Sequence, residues 1–110
     1  MKRKFIIMPV FDKAWRDMGL DDDDLQILQE QLLDDPQRGD VIQGTGGLRK
    51  VRFSLPNRGK RGSSRIIYID FCTAETIYLI FAYPKNEKDT LSAEEKNNMK
   101  KLVDRIKETL

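Results

Sequence analysis

Histidine is absent from this 110-residue chain, and cysteine occurs once, as Cys72. Without histidine, the usual zinc sites and the Ser-His and Cys-His nucleophiles are excluded or close to it. A single cysteine closes no internal disulfide, which fits a reducing, cytoplasmic setting; with no histidine to activate it, Cys72 is expected to be a buried bystander. Long apolar runs are missing as well. The longest, around "TIYLIFAY", falls far short of the roughly 18 to 20 residues of a membrane helix. The opening "MKRKFIIMPVF" begins like a signal peptide, but its apolar part is short, Pro9 interrupts it, and no small-residue cleavage site follows. It reads as a first strand. "GTGG" at 44–47 lacks the Gly-Lys-Ser/Thr of a phosphate-binding loop and leads into a strand, so it reads as a turn.

What is present is a charged globular composition, 39% hydrophobic and 35% charged. The length suits one domain over residues 1–110 with a single core. The net charge of +2 conceals a segregation. From Asp12 to Asp35 there are nine acids against Lys13 and Arg16, whereas from Arg49 to Arg65 there are seven bases and no acid. One region repels polyanions and the other attracts them.

The periodicities predict an α+β domain. "RKFIIM", residues 3–8, is β-branched and aromatic, a strand ended by Pro9. Phe11, Ala14, Trp15 and Met18 then recur at helical spacing before Gly19, a helix cap. "DDDDLQILQEQLLDDP" begins with acids where a helix dipole favours them, carries Leu25, Leu28 and Leu32 on one face, and stops before Pro36. Together these make a helical hairpin. Asp21–Asp24 could suggest a metal site, but consecutive aspartates on a helix diverge and the alternating ligands of a calcium loop are absent; capping is the better reading. In "LRKVRFSL", Leu48, Lys50 and Arg52 alternate with Arg49, Val51 and Phe53, the period of a strand. "RIIYIDF" and "TIYLIFAY" follow as strands joined by "CTAE", an antiparallel hairpin. Ser92 and Glu95 form a capping box that opens a helix with Met99, Leu102, Val103 and Ile106 as its apolar stripe.

The chemistry then rests on the basic cluster. Arg49, Lys50 and Arg52 precede the loop "PNRGKRGSSR", which holds Arg58, Lys60 and Arg61 and ends at Arg65. If the flanking strands pair, these cations converge on one edge. Arginine holds a phosphate through paired hydrogen bonds, and glycines let a loop backbone come close to a sugar-phosphate chain. Tyr68, Tyr78 and Tyr83 are candidate aromatic faces for an unpaired base. Tyr83, at the end of its segment, is the one expected to be exposed, and Tyr78, in the apolar middle, the one expected to pack. The bland alternative is a solvated loop, but such surfaces ordinarily intersperse acids. RNA can also be cut without metal or histidine: the 2′-hydroxyl attacks the adjacent phosphate while cations stabilise the developing charge. The candidate base is Lys60, Lys50 or Lys85, since crowding by like charge favours the neutral amine. In that scheme Arg52 and Arg65 hold the phosphate and Tyr83 stacks or relays a proton, and no metal or cofactor is required.

The combination "GLRKxR…GKRGxxRxIY…YPKNEK…LSxEE", spread over Gly44 to Glu95, resembles the RelE/HigB superfamily of toxins, most closely its HigB-like branch. The resemblance implies a small RelE-like domain with an N-terminal strand, helical hairpin, antiparallel sheet and C-terminal helix. It also implies a ribosome-dependent mRNA endoribonuclease that inhibits translation and arrests growth. A cognate antitoxin is implied, with a helix-turn-helix domain through which alone operator DNA would be reached. The family's basic positions map to Lys50, Arg52, Arg65 and Lys85, and Lys60 and Arg61 match the HigB-like branch. Where some RelE proteins have an arginine directly after that last lysine and a tyrosine shortly beyond, this chain has Asn86 and Leu91, and Tyr83 takes the aromatic role. Two readings stand beside the nuclease: a catalytically silent RNA-binding or regulatory domain on the same fold, and a protein-interaction module.

Overall fold

A computed structural model of the chain describes residues 2–54, 64–85 and 91–110. The apolar start becomes strand β1, Lys4–Ile7, and Pro9 opens helix α1, Pro9–Asp17, where its missing N–H costs no hydrogen bond. Phe11 and Trp15 are buried one turn apart, with rings stacked at 5.5 Å. The Trp15 indole donates to the Asp21 carbonyl at 3.0 Å, which ties α1 to the start of α2, Asp22–Asp34. Between the helices Gly19 sits at φ +80°, a left-handed position that suits glycine. The acidic run is a capping box, as expected. Asp21 accepts from the Asp24 amide and Asp24 accepts from the Asp21 amide, both at 2.9 Å. Leu25, Leu28 and Leu32 are buried along one face of α2.

Strands β2 (Asp40–Val41), β3 (Arg49–Phe53), β4 (Ser64–Phe71) and β5 (Thr76–Pro84) complete one sheet in the order β1-β5-β4-β3-β2. The pairs β2–β3, β3–β4 and β4–β5 are antiparallel. The expected antiparallel sheet gains one parallel edge, because β1 runs beside β5 with Phe5 opposite Ile77. The helical hairpin between β1 and β2 provides a connection long enough to reach that far edge. Helix α3, Ala93–Thr109, closes the chain, with the expected box of Ser92 and Glu95 at its start.

The sheet is covered on both faces. The helical hairpin packs Phe11, Trp15, Leu28 and Leu32 against Phe53, Ile66, Tyr68, Ile77 and Leu79. Helix α3 packs Val103 and Ile106 against Leu48, Ile67, Ile69, Ile80 and Tyr83. Each large apolar side chain buried in this way contributes about 1.5–3 kcal/mol. Trp15 also reaches Phe53 on β3, ring to ring at 5.4 Å, so the hairpin braces the strand that carries the basic residues.

One expectation fails in the β4–β5 turn. Cys72 is exposed instead of buried, because it lies one residue past β4 at the hairpin tip, beyond the cover of either helical layer. Just inside the tip, Arg3 forks onto Asp70, with Nε to Oδ1 at 2.7 Å and a second nitrogen to Oδ2 at 3.2 Å.

Candidate nucleic-acid interface

Alternation along β3 sorts its charges. Val51 and Phe53 face the helical hairpin, so Arg49 shares that side, while Lys50 and Arg52 share the α3 side with Leu48. On β4 the same rule puts Arg65 with Ile67 and Ile69 on the α3 side.

The register then assembles a row. Arg52 stands opposite Arg65, and Arg65 stands opposite Tyr83 on β5. Two residues along, Lys50 stands opposite Ile67, and Ile67 opposite Phe81. Lys85, exposed, lies just beyond the end of β5 and two residues past Tyr83. The structure therefore gathers Lys50, Arg52, Arg65, Tyr83 and Lys85 at one end of one sheet face. Arg52 is exposed on β3, and Lys50 and Arg65 are half-buried, presenting charge from a rigid ladder.

A β-bulge makes the row possible. The β4–β5 register passes from Ile67 opposite Phe81 to Tyr68 opposite Leu79, leaving Ile80 as an extra residue. Leu79 and Ala82 consequently both face the hairpin, and Ile80 and Phe81 both face α3. Without that residue, alternation from Leu79 would turn Tyr83 to the hairpin side, away from Arg65.

The expectations for Tyr83 and Tyr68 are corrected. Tyr83 is 2% exposed, packed in the α3-side core with its ring 6.0 Å from Phe81, and offers no open face for stacking. Tyr78, expected to pack, does so: it is half-buried against the α3-side core, in an edge-to-face contact with Phe71 at 5.6 Å. Tyr68 is fully buried on the opposite face of the sheet and cannot stack on a base. Its hydroxyl donates to the Pro36 carbonyl at 2.9 Å and accepts from the Gly39 amide at 3.0 Å. Burial raises its pKa above the ordinary 10.0, partly opposed by the Gly39 hydrogen bond.

Arg49 is not brought to the row either. It turns to the hairpin side and donates to the Gly39 carbonyl at 2.7 Å and the Gln37 carbonyl at 3.2 Å. Tyr68 and Arg49 thus clamp the 36–39 segment that delivers β2 to the sheet. Gly39 is required there, since a Cβ would meet the Lys50 carbonyl oxygen at 2.9 Å and the Tyr68 ring at 3.1 Å. Arg58, Lys60 and Arg61 lie outside the described residues.

Asp40 was missed in the sequence. It stands on β2 opposite Lys50, so the Lys50 row begins with an acid. A strand of two residues within "RGDVIQG" is too short to show a period, and no local signal marks it.

Comparison with known proteins identifies the family and the fold. The family model for the RelE toxin of the RelE/RelB toxin-antitoxin system matches residues 4–109. Among solved structures, a mutant of the E. coli toxin RelE in the free state aligns with a TM-score of 0.59 at 15% sequence identity. The alignment covers 89% of this chain and 97% of that one, and at this identity it speaks to the fold alone.

Proposed function

The chain belongs to the RelE toxin family, and from that premise we propose that it is a toxin acting as a ribosome-dependent mRNA endoribonuclease, cutting through the 2′-hydroxyl without a metal. The observation that carries this reading is the cross-strand row Arg52–Arg65–Tyr83, with Lys50 one row along on the same face. Two arginines held opposite each other on adjacent strands are placed to grip one phosphate through charge-assisted hydrogen bonds.

In the proposed reaction the 2′-oxygen forms a bond to the adjacent phosphorus and the bond from phosphorus to the 5′-oxygen breaks. The products are a 2′,3′-cyclic phosphate and a 5′-hydroxyl. Arg52 and Arg65 stabilise the extra negative charge on the phosphoryl oxygens as it develops. A lysine takes the 2′-hydroxyl proton: Lys50 or Lys85 among the described residues, or Lys60. The 5′-oxygen gains a proton as it leaves. Tyr83, buried beside Arg65, supports the row from within the sheet instead of stacking on the base. A site without a strong acid–base pair gains most from a host that fixes the message in reactive geometry, which is the part assigned to the ribosome.

Membership of the family implies an antitoxin partner. We further propose that this antitoxin carries a helix-turn-helix domain, that operator DNA is met only through it, and that the toxin acts in the cytoplasm. Among the described residues no helix is long and apolar enough to cross a membrane. Lys60 and Arg61 support assignment to the HigB-like branch.

Inducible expression with mapping of RNA 5′ ends tests the reading. Rapid growth arrest with cuts confined to translated messages is expected, together with loss of both in an Arg65→Ala protein that still folds. Arrest with messages left whole would replace the nuclease by a silent RNA-binding domain.

A further inference from the structure

At the opposite end of the sheet from the cationic row lies a cavity of about 660 Å³, walled by Val41 on β2, Ile69 and Phe71 on β4, and Leu110. Strand lengths create it. The β3–β4 ladder stops at Arg49 opposite Tyr68, while β4 and β5 stay paired as far as Phe71 opposite Thr76. Gly46 and Gly47, at φ +81° and +118°, break the line of β3 before it can extend that ladder. Residues 69–71 of β4 therefore run on with no strand at their β3 side among the described residues, a short open edge with backbone groups to offer. From Arg65 to Phe71 the strand covers roughly 20 Å, so this notch and the row are separate places.

The walls define what would fill it. Alternation gives the notch two sides: Ile69 and Phe71 belong to the α3 side, and Val41, opposite Arg49, to the hairpin side. Each side also carries one cation, Lys107 from the end of α3 and Arg49 from the start of β3. Among the described residues neither has a carboxylate partner: Lys107 donates to the Gly46 carbonyl at 2.9 Å, and Arg49 to the Gly39 and Gln37 carbonyls. The one acid in the lining, Asp70, is already held by Arg3 through two hydrogen bonds. Val41, 53% exposed, leaves apolar surface uncovered at the rim.

We infer that this notch receives an extended segment of the antitoxin, which adds a short strand beside residues 69–71 of β4 and sets one apolar and one acidic side chain on each side. The inference rests on the antitoxin partner that family membership implies, and not on the nuclease chemistry. Strand addition answers three features together. Main-chain hydrogen bonds satisfy the open edge, alternate side chains enter the two sides, and carboxylates meet Lys107 and Arg49. A helix laid across the same place would leave the edge groups unpaired, and a basic segment would be repelled by both cations.

The test compares the full-length toxin alone and in complex with its antitoxin, by amide hydrogen exchange and by the affinities of Lys107→Glu and Val41→Asp. Complex formation should slow exchange within residues 69–71, and each variant, still folded by circular dichroism, should bind at least about tenfold more weakly. Unchanged affinity in both variants, or protection confined to other faces, overturns the inference. If the toxin alone gains the same protection at high concentration together with a dimer mass in ultracentrifugation, a second copy fills the notch and the inference is overturned too. If no antitoxin binds, the partner reading fails by itself, and a capped eight-residue peptide repeating Val-Val-Glu-Glu, with valine and glutamate on both of its faces, decides the notch by NMR. It should shift the amides of Gly47 and Phe71, and a Val-Val-Lys-Lys repeat should not. Equal shifts from both peptides, or none, overturn it.

Discussion

Arg52 and Arg65 face each other directly across β3 and β4, a like-charge pair at a position where antiparallel strands usually set complementary side chains. One phosphate placed between them would meet both cations, so removal of either should cost activity. Arg65→Ala or Arg52→Ala should lower the rate of message cleavage by roughly 10²–10³-fold, the usual cost of losing one donor to a developing anion. Arg52 is exposed, so Arg52→Ala should leave the melting temperature nearly unchanged. A large fall in thermal stability with either variant would show that the arginines serve the fold instead.

Tyr68 holds Pro36 and Gly39 through one hydroxyl, at 2.9 and 3.0 Å. Tyr68→Phe keeps the ring and leaves two buried backbone groups unsatisfied, so unfolding by urea should show a loss of about 1–3 kcal/mol. The same clamp sets a pH dependence. The folded-state pKa is raised above the ordinary 10.0, so the folded protein binds the phenolic proton more tightly than the unfolded chain. This contribution is fully present below about pH 10 and is lost as pH rises through the folded value. Titration of stability against pH in wild type and Tyr68→Phe should diverge below pH 10 and converge above it.

Gly39→Ala should be more damaging than its size suggests. The added Cβ meets backbone at the Lys50 carbonyl, 2.9 Å away, and the neighbour cannot simply rotate aside. A destabilisation of about 1–3 kcal/mol is expected for such overpacking. Because the displaced backbone is that of Lys50, cleavage should fall as well, and a Gly39→Ala protein with normal stability and activity would refute the clamp.

Asp70→Asn should lower the melting temperature far more than removal of an exposed pair. The Arg3–Asp70 side chains are 6% and 3% exposed, against 78% and 64% for Lys13–Asp17. An arginine guanidinium keeps its charge at any ordinary pH, so Asp70→Asn leaves the Arg3 cation without its counter-charge. Replacing both residues by apolar ones should recover much of the loss, and calorimetry of the single and double variants checks it.

Ser92→Ala removes the side chain that accepts from the Glu95 amide at 3.1 Å. A cost of about 1 kcal/mol is expected, seen as faster amide exchange in the first turn of α3.

Most of the local structure was legible in the chain. The capping box at Ser92 and Glu95, the Asp21 cap, the stripe of Leu25, Leu28 and Leu32, and the shared face of Lys50 and Arg52 all follow from i, i+3, i+4 and i+2 relations between near neighbours. The segregation of acids before Asp35 from bases after Arg49 was equally plain. These depend on residues a turn or a pleat apart, and local sequence is enough to specify them.

What decided the site lay between distant segments. Arg52 meets Arg65, and Arg65 meets Tyr83, only through the pairing of three strands. One extra residue at Ile80 turns Tyr83 toward Arg65 and buries it, where a regular alternation would have sent it to the other face. Arg49 and Tyr68 looked from their neighbours like part of the basic aromatic surface, yet the sheet sends both to the hairpin side, where they hold the 36–39 segment. Asp40 gained its place opposite Lys50 from a two-residue strand with no period of its own. The sequence by itself determined which elements form and what charge each carries, because helix caps, stripes and strand alternation are short-range. Only the tertiary structure decided which of those charges meet, because register, bulges and the choice of sheet face depend on how the whole core packs.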